Sequence, residues 1–257
     1  MNRIYYEEKG NGRPLVLIHG FCETHEIWDH FAENLSGNFR VLLPDLPGFG
    51  RSSLPPTPIT VRDIGLSMLS WLDELHLEAP VIIGHSLGGY VVLAMANAQP
   101  GRFPGFGLFH STAYADSEEK KESRNKVIDF VGRNGVQPFI DTYVPGLFYQ
   151  KENPHEAEVH QIASRTAAET LVAYAAAMRD RPSQLALLET FPKPILMIAG
   201  QHDAIITYDH SSAQAQLLRI PFFCGLQDTG HMGMFENEPE SLKIVKDFTE
   251  FALGFGS

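Results

Sequence analysis

Four short apolar runs constrain this chain more than any other feature: Leu15-Val-Leu-Ile18, Val41-Leu-Leu43, Val81-Ile-Ile83 and Ile195-Leu-Met-Ile198. Each ends in turn chemistry. A strand that is apolar on both faces must be covered on both faces, as in a parallel sheet flanked by helices. Residues 105–109 and 220–224 are further strand candidates. Residues 4–8, followed by Gly10-Asn-Gly12, read as a hairpin strand leading into the first buried run. Helical patterns lie between them. Thr60 can cap a helix reaching about residue 76, with Ile64, Met68, Leu69 and Leu72 on one face. Residues 87–99 and 240–253 are two more helices. This alternation predicts an α/β fold with a mostly parallel sheet.

The rhythm breaks after residue 110. Glu118-Glu-Lys-Lys-Glu122 opens a charged helix, and residues 139–148, 157–165, 167–179 and 183–189 also read as helices, with no strand among them. Strands resume at Ile195, just after Pro192 and Pro194. The expected organisation is therefore a core of residues 1–110 and 192–257, with residues 111–191 as a helical cap over one end of the sheet. A length of 257 residues suits one such domain with its insertion.

Composition removes several function classes. A net charge of −11 opposes binding to nucleic acid, which needs a basic patch to displace counterions. No run approaches the roughly 20 apolar residues of a membrane span, and the N-terminal stretch lacks the apolar segment of a signal peptide. Two cysteines, Cys22 and Cys224, make no disulfide framework. A reducing cytoplasm is the expected compartment.

The chemistry gathers at the ends of the predicted strands. Gly84-His85-Ser86-Leu87-Gly88 matches G-x-S-x-G between a buried strand and a helix, the context in which a sharp turn exposes a nucleophilic hydroxyl. A serine needs a base, and His231, in Thr229-Gly-His-Met-Gly233, follows the last strand. For one of eleven histidines a solvated loop is the ordinary reading; its place after that strand reverses the preference. The base needs a carboxylate, and Asp203 follows the strand at residues 195–198. Asp228, three residues before His231, competes for that role, and Asp116 is a weaker candidate. Asp203 is preferred because the acid should approach the ring from a neighbouring strand end. An oxyanion hole would use the N–H of Phe21, after Gly20, and that of Leu87.

With His19-Gly20, Pro44-Asp-Leu-Pro-Gly-Phe-Gly-Arg-Ser52, Gly84-His-Ser-Leu-Gly-Gly89, Gly200-Gln-His-Asp203 and Gly230-His231, the chain resembles the α/β-hydrolase superfamily, and within it small bacterial esterases and enol-lactonases. The resemblance covers residues 1–110 and 192–257. It implies a cofactor-free hydrolase, taking a small-molecule ester or lactone between cap and sheet; no metal is expected, because no His/Cys/Asp cluster has ligand spacing. Thioester, amide and C–C bond hydrolases share these residues, as would a ligand receptor of the same fold with little turnover.

Other patterns carry less. His25 and His30 resemble H-E-x-x-H but stand five residues apart, off a common helical face. Gly48 and Gly50 lack the third glycine of a dinucleotide site. His85 reads as packed, not catalytic, and Cys22 shows no sign of reactivity. Phe130, Phe139, Tyr143 and Phe148 read mainly as cap core, with a few facing the cleft.

Overall fold

The structure is a computed structural model describing residues 3–255; residues 1, 2, 256 and 257, at the extremes of the expected core segments, lie outside it. Seven strands form one sheet: β1 (Tyr6–Lys9), β2 (Pro14–Ile18), β3 (Arg40–Pro44), β4 (Val81–His85), β5 (Phe106–Phe109), β6 (Ile195–Gly200) and β7 (Pro221–Leu226). Their order is β1-β3-β2-β4-β5-β6-β7, with β1 antiparallel to β3 and every other pair parallel. The fully apolar runs fall where the physics requires. β4, β5 and β6 are buried throughout, whereas the edge strands β1 and β7 are half exposed.

Parallel pairing brings the strand C-termini to one edge. Ile18 lies opposite Gly84, His85 opposite Phe109, and Phe109 opposite Ile198, so the residues after these strands emerge together. From β2 the chain steps outward to β3 and then back to β4 on its other side. This is the switch point at which open α/β sheets bind ligands.

Helices flank the sheet: α1 (Asp29–Leu35), α2 (Val61–Glu74), α3 (Leu87–Ala98), α9 (Tyr208–Ala215), α10 (Gly233–Glu236) and α11 (Glu238–Gly254). α2 begins as expected, with the Thr60 hydroxyl accepting the Asp63 N–H while the Asp63 carboxylate accepts the Thr60 N–H. α1 and α9 were not anticipated. α1 is only seven residues long, and α9 (Tyr-Asp-His-Ser-Ser-Ala-Gln-Ala) has no continuous apolar stripe to announce it.

Between β5 and β6 lie α4 (Glu118–Asn134), α5 (Gln137–Tyr143), α6 (Glu156–Ser164), α7 (Ala168–Arg179) and α8 (Leu185–Thr190), without a strand. The single helix expected over residues 139–148 is broken. α5 stops at Tyr143 and a 3₁₀ turn, Val144–Leu147, follows. Pro145 has no N–H to give and would crowd the carbonyl four residues back, so the α-helix cannot run through it. This helical segment packs on loops at the C-terminal edge: Thr170 Oγ1 donates to Gly48 O (3.0 Å) and the Tyr174 hydroxyl to Pro47 O (2.6 Å). No helix among the described residues is long and apolar enough to cross a membrane.

The burial pattern is testable by truncation. Leu17, fully buried in β2, should cost about 2–5 kcal/mol when changed to Ala, because a cavity adds to the lost transfer energy. Leu66, 45% exposed on α2, should cost less than about 0.5 kcal/mol. Urea unfolding of Leu17→Ala and Leu66→Ala checks the ranking; equal effects would mean the sheet is misplaced.

Candidate active site

β4 ends at His85 and α3 begins at Leu87, leaving Ser86 alone to make the turn. Its backbone sits at φ 49° and ψ −114°, a region that costs an L-residue about 1–3 kcal/mol. Three hydrogen bonds hold it there. The Ser86 N–H donates to Phe109 O (2.9 Å), and Ser86 O accepts the Gly89 N–H (3.0 Å) and the Ser111 hydroxyl (2.7 Å). A side chain at Gly84 would run into the backbone of Gly88, and one at Gly88 into the carbonyls of Ile18 and His19. The glycines of the motif are thus required by close approach of helix to sheet.

Asp203 and His231, 28 residues apart, meet at the same edge. His231 Nδ1 lies 2.8 Å from Asp203 Oδ2, while Oδ1 accepts the N–H groups of Ile205 (2.8 Å) and Ile206 (2.9 Å). Burial alone would raise the Asp203 carboxyl, but His231 and the His110 ring outweigh it and hold it well below the usual range. A carboxylate at Nδ1 requires the proton there, which leaves Nε2 as the basic nitrogen. That Nε2 is buried and has no hydrogen-bond partner among the described residues, so Ser86 and His231 are not directly bonded in this arrangement.

Neither competing carboxylate reaches the ring. Asp228 is exposed, at φ 49° in the turn after β7. Asp116 is buried between Arg181 (2.7 Å) and Arg124 (3.2 Å).

The backbone around His231 is fully engaged. Its N–H donates to Leu147 O (2.8 Å), and its C=O accepts from His85 Nε2 (2.9 Å). Glu236 Oε2 accepts the N–H groups of Gly230 (2.9 Å) and Met232 (3.2 Å), and Oε1 that of Tyr149 (2.7 Å). Glu236 therefore ties the His231 loop to the helical segment.

Of the two expected oxyanion donors, Leu87 directly follows Ser86. Leu87 is the first residue of α3, so its N–H has no acceptor inside its own helix. The loop carrying Phe21 is fixed through Gly20. The Gly20 N–H donates to Glu23 Oε2 (2.5 Å), and its C=O accepts from His19 Nδ1 (2.8 Å). His19 Nε2 accepts the Leu46 N–H (2.9 Å), and burial keeps the ring neutral by lowering its pKa. Phe139 and Tyr143 stack at 5.0 Å and meet Phe21 edge-on at 6.4 and 6.1 Å. Those two aromatics lie against Phe21 and Phe148 is buried, but Phe130, read as cap core, is 42% exposed.

Three residues near the site were not foreseen: Glu23, Glu236 and His110. His110 follows β5, and its Nδ1 lies 3.2 Å from Asp203 Oδ2; burial lowers its pKa to about 4, so it is a neutral second neighbour of the carboxylate. Only its place after a strand could have pointed to it.

Among the described residues, His110, Asp203 and His231 are the groups near enough to share one ion, each offering an atom within 4.8 Å of the others. Asp203 Oδ2 lies 2.8 Å from His231 Nδ1 and 3.2 Å from His110 Nδ1, while Nε2 of each ring has no hydrogen-bond partner among the described residues. His25 pairs instead with Asp45 at 2.8 Å, and His30 is exposed, so the H-E-x-x-H-like pattern forms no ligand set. Cys22 is buried, which pushes its thiol well above the ordinary range and away from reactivity. A cavity of about 310 Å³ lies elsewhere, lined by Tyr90, Leu93, Thr112, Arg181 and Gln184, among others, and does not include Ser86.

Comparison with known proteins gives a consistent picture. A model of the alpha/beta hydrolase family matches residues 15–242. A thermophilic esterase from Thermogutta terrifontis superposes with a TM-score of 0.92 at 29% identity, over 97% of this chain and 93% of that one. The enol-lactonase from Burkholderia xenovorans LB400 superposes with a TM-score of 0.88 over 95% of both chains, at 24% identity, and this likeness concerns the fold alone. The dihydrolipoyllysine-residue acetyltransferase component of the acetoin cleaving system of Cupriavidus necator is 25% identical over 251 residues. That match covers 95% of this chain and 66% of the relative, and the Pseudomonas putida protein of the same description is covered to 60%. The chain thus spans at most about two thirds of these relatives.

Proposed function

The chain belongs to the alpha/beta hydrolase family, and on that premise we propose that it cleaves a carboxylic ester or lactone through an acyl-enzyme formed on Ser86. The observation that carries this reading is the 2.8 Å bond from His231 Nδ1 to Asp203, which leaves a basic Nε2 at the sheet edge that also carries Ser86 in its turn. The Ser86 Oγ attacks the substrate carbonyl carbon as His231 Nε2 removes its proton. The resulting oxyanion accepts from the Phe21 and Leu87 N–H groups. Collapse of the tetrahedral intermediate breaks the acyl C–O bond, and the leaving alkoxide takes the proton from His231. Water, deprotonated by the same Nε2, then attacks the acyl carbon and restores the Ser86 hydroxyl as the acid departs. Catalytic hydrogen bonds that are long in the free enzyme commonly tighten once substrate is bound, so the missing Ser86–His231 bond is compatible with this role.

The esterase likeness at 29% identity supports an ester bond. One relative is described as a bifunctional epoxide hydrolase, from Sus scrofa. A serine at the elbow, where an aspartate nucleophile would be expected for epoxide opening, argues against that chemistry here.

A panel of p-nitrophenyl esters of increasing acyl length, lactones and thioesters tests the reading, with Ser86→Ala as the blank. Ser86→Ala should retain less than about 1% of turnover. Asp203→Asn should lower turnover by about 10⁴, the loss seen when a serine-protease triad acquires the wrong tautomer, while Asp228→Asn should cost less than about tenfold. The opposite ranking would remove Asp203 from the site, and ligand binding without turnover would mark a receptor.

Residues 111–191 are read as a cap that shapes specificity, because Phe139 and Tyr143 lie against Phe21. Phe139→Ala and Tyr143→Ala should move the preferred acyl length on the same panel while leaving the unfolding midpoint nearly unchanged. Variants that merely unfold, with no change in preference, would make the segment core.

A further inference from the structure

His85, beside the nucleophile, is fully buried, and both of its ring nitrogens face acceptors. Nδ1 lies 2.9 Å from Glu23 Oε2, and Nε2 lies 2.9 Å from the carbonyl oxygen of His231. A neutral imidazole has one N–H and can satisfy one such partner; two acceptors require two N–H groups. The carboxylate is also specified, since Oε2 of Glu23 accepts the Gly20 N–H at 2.5 Å. The fold makes room for the pair: a side chain at Gly20 would lie 2.7 Å from Glu23 Oε2 and 2.8 Å from His85 Nδ1.

We propose that Glu23 and His85 form a buried carboxylate–imidazolium pair that positions the oxyanion loop and the His231 loop against the nucleophile elbow. The connection is continuous. The Gly20 N–H bonds Glu23, Glu23 accepts one N–H of His85, and the other N–H of His85 bonds the His231 carbonyl. His85 is covalently adjacent to Ser86, so one pair fixes three moving parts of the reaction relative to one another. Glu23 and His85 are positioning residues. Their contribution should appear in kcat, because a misplacement of about 1 Å at the reacting groups costs about 10²-fold.

The surroundings favour the charged form. Burial disfavours it, yet Glu23 outweighs burial and raises the His85 pKa, with Asp203 contributing in the same direction. Burial likewise opposes ionisation of Glu23, and His85 and His19 reverse it and lower its pKa. The His231 and His110 rings, at 4.9 and 6.2 Å, lie beside His85, as do Asp203 through its charge and the rings of Trp28 and Phe109; His19 acts on Glu23. A histidine whose folded pKa is raised gives its full stabilisation below its ordinary value, about 6.5. It loses that contribution as pH rises through the raised one. The pair should therefore fail on the alkaline side.

The positioning role rests on the ester-hydrolase reading, whereas the protonation of the pair does not, and the test separates them. Nitrogen NMR of ¹⁵N-histidine-labelled wild-type protein, with His85 assigned through His85→Gln, should show two protonated ring nitrogens at pH 7. In kinetics, His85→Gln should lower kcat at least about 100-fold, with KM within about threefold, because a neutral amide with one NH2 group cannot serve both acceptors and leaves the Glu23 carboxylate buried without its charge partner. Glu23→Gln/His85→Gln rebuilds a neutral hydrogen-bonded chain and should recover at least about tenfold of that loss. A neutral His85 at pH 7 overturns the pair; an unchanged kcat in His85→Gln, or a double variant no better than the single, overturns its role. If His85→Gln does not fold, His85 is assigned through Glu23→Gln. That variant should then show a neutral His85 ring and an altered alkaline limb of kcat, and an unchanged ring and limb would overturn the pair. Should wild type hydrolyse no ester, the functional reading fails and the nitrogen spectrum still decides the pair.

Discussion

Because Gly84 and Gly88 carry no side chains, the first turn of α3 rests against the end of β4 and against the carbonyls of Ile18 and His19 at the end of β2. That backbone contact governs much of what happens at the sheet edge. It forces the single intervening residue, Ser86, to a positive φ and makes Leu87 the first residue of α3, with no acceptor for its N–H inside that helix. It also sets how near that loop, with Gly20 and Phe21, stands to the serine. The strain is held by bonds from β5 and the segment after it, through Phe109 O and the Ser111 hydroxyl. Strand pairing and site geometry are therefore one problem, since a shift of β5 would release the turn.

Polar satisfaction is the second constraint. His231 is buried with its N–H, its C=O and Nδ1 all bonded, and the flanking N–H groups close on Glu236. Leaving such groups unpaired in a low-dielectric site costs about 1–3 kcal/mol each, so the loop has little freedom. Two of these ties, Leu147 O to His231 and Tyr149 N–H to Glu236, come from the helical segment. Opening that segment away from the core would have to break or replace them. The position of His231 is coupled in this way to the packing of that segment.

Much of this was legible in the sequence, and the legible part has a common cause. Strands buried on both faces announce themselves as unbroken apolar runs, and the site residues stand at fixed places after them. Asp203 could be preferred to Asp228 because a parallel sheet delivers neighbouring strand ends to one edge. What stayed hidden depends on contacts across the chain. Glu23 and His85 are 62 residues apart and His110 and Asp203 are 93 apart, with no spacing rule linking either pair. His85 was read correctly as packed, but a packed residue and a doubly bonded, charged one look alike in a sequence. α9 was hidden for a different reason: its polar face is nearly continuous, and its position is set by tertiary packing. The break in the helix expected over residues 139–148 was visible in Pro145, whose effect the apolar pattern around it obscured.

The central claim is that Ser86 is a nucleophile activated by His231, and covalent capture tests it most directly. The folded protein would be treated with a fluorophosphonate, which mimics an ester under attack, and followed by intact mass and peptide mapping. One phosphonyl group per chain should appear, on the peptide containing Ser86, and His231→Ala should slow its appearance at least about 100-fold, since a serine without its base is a weak nucleophile. Ester hydrolysis that proceeds with no adduct, or with the adduct on another residue, would contradict the account.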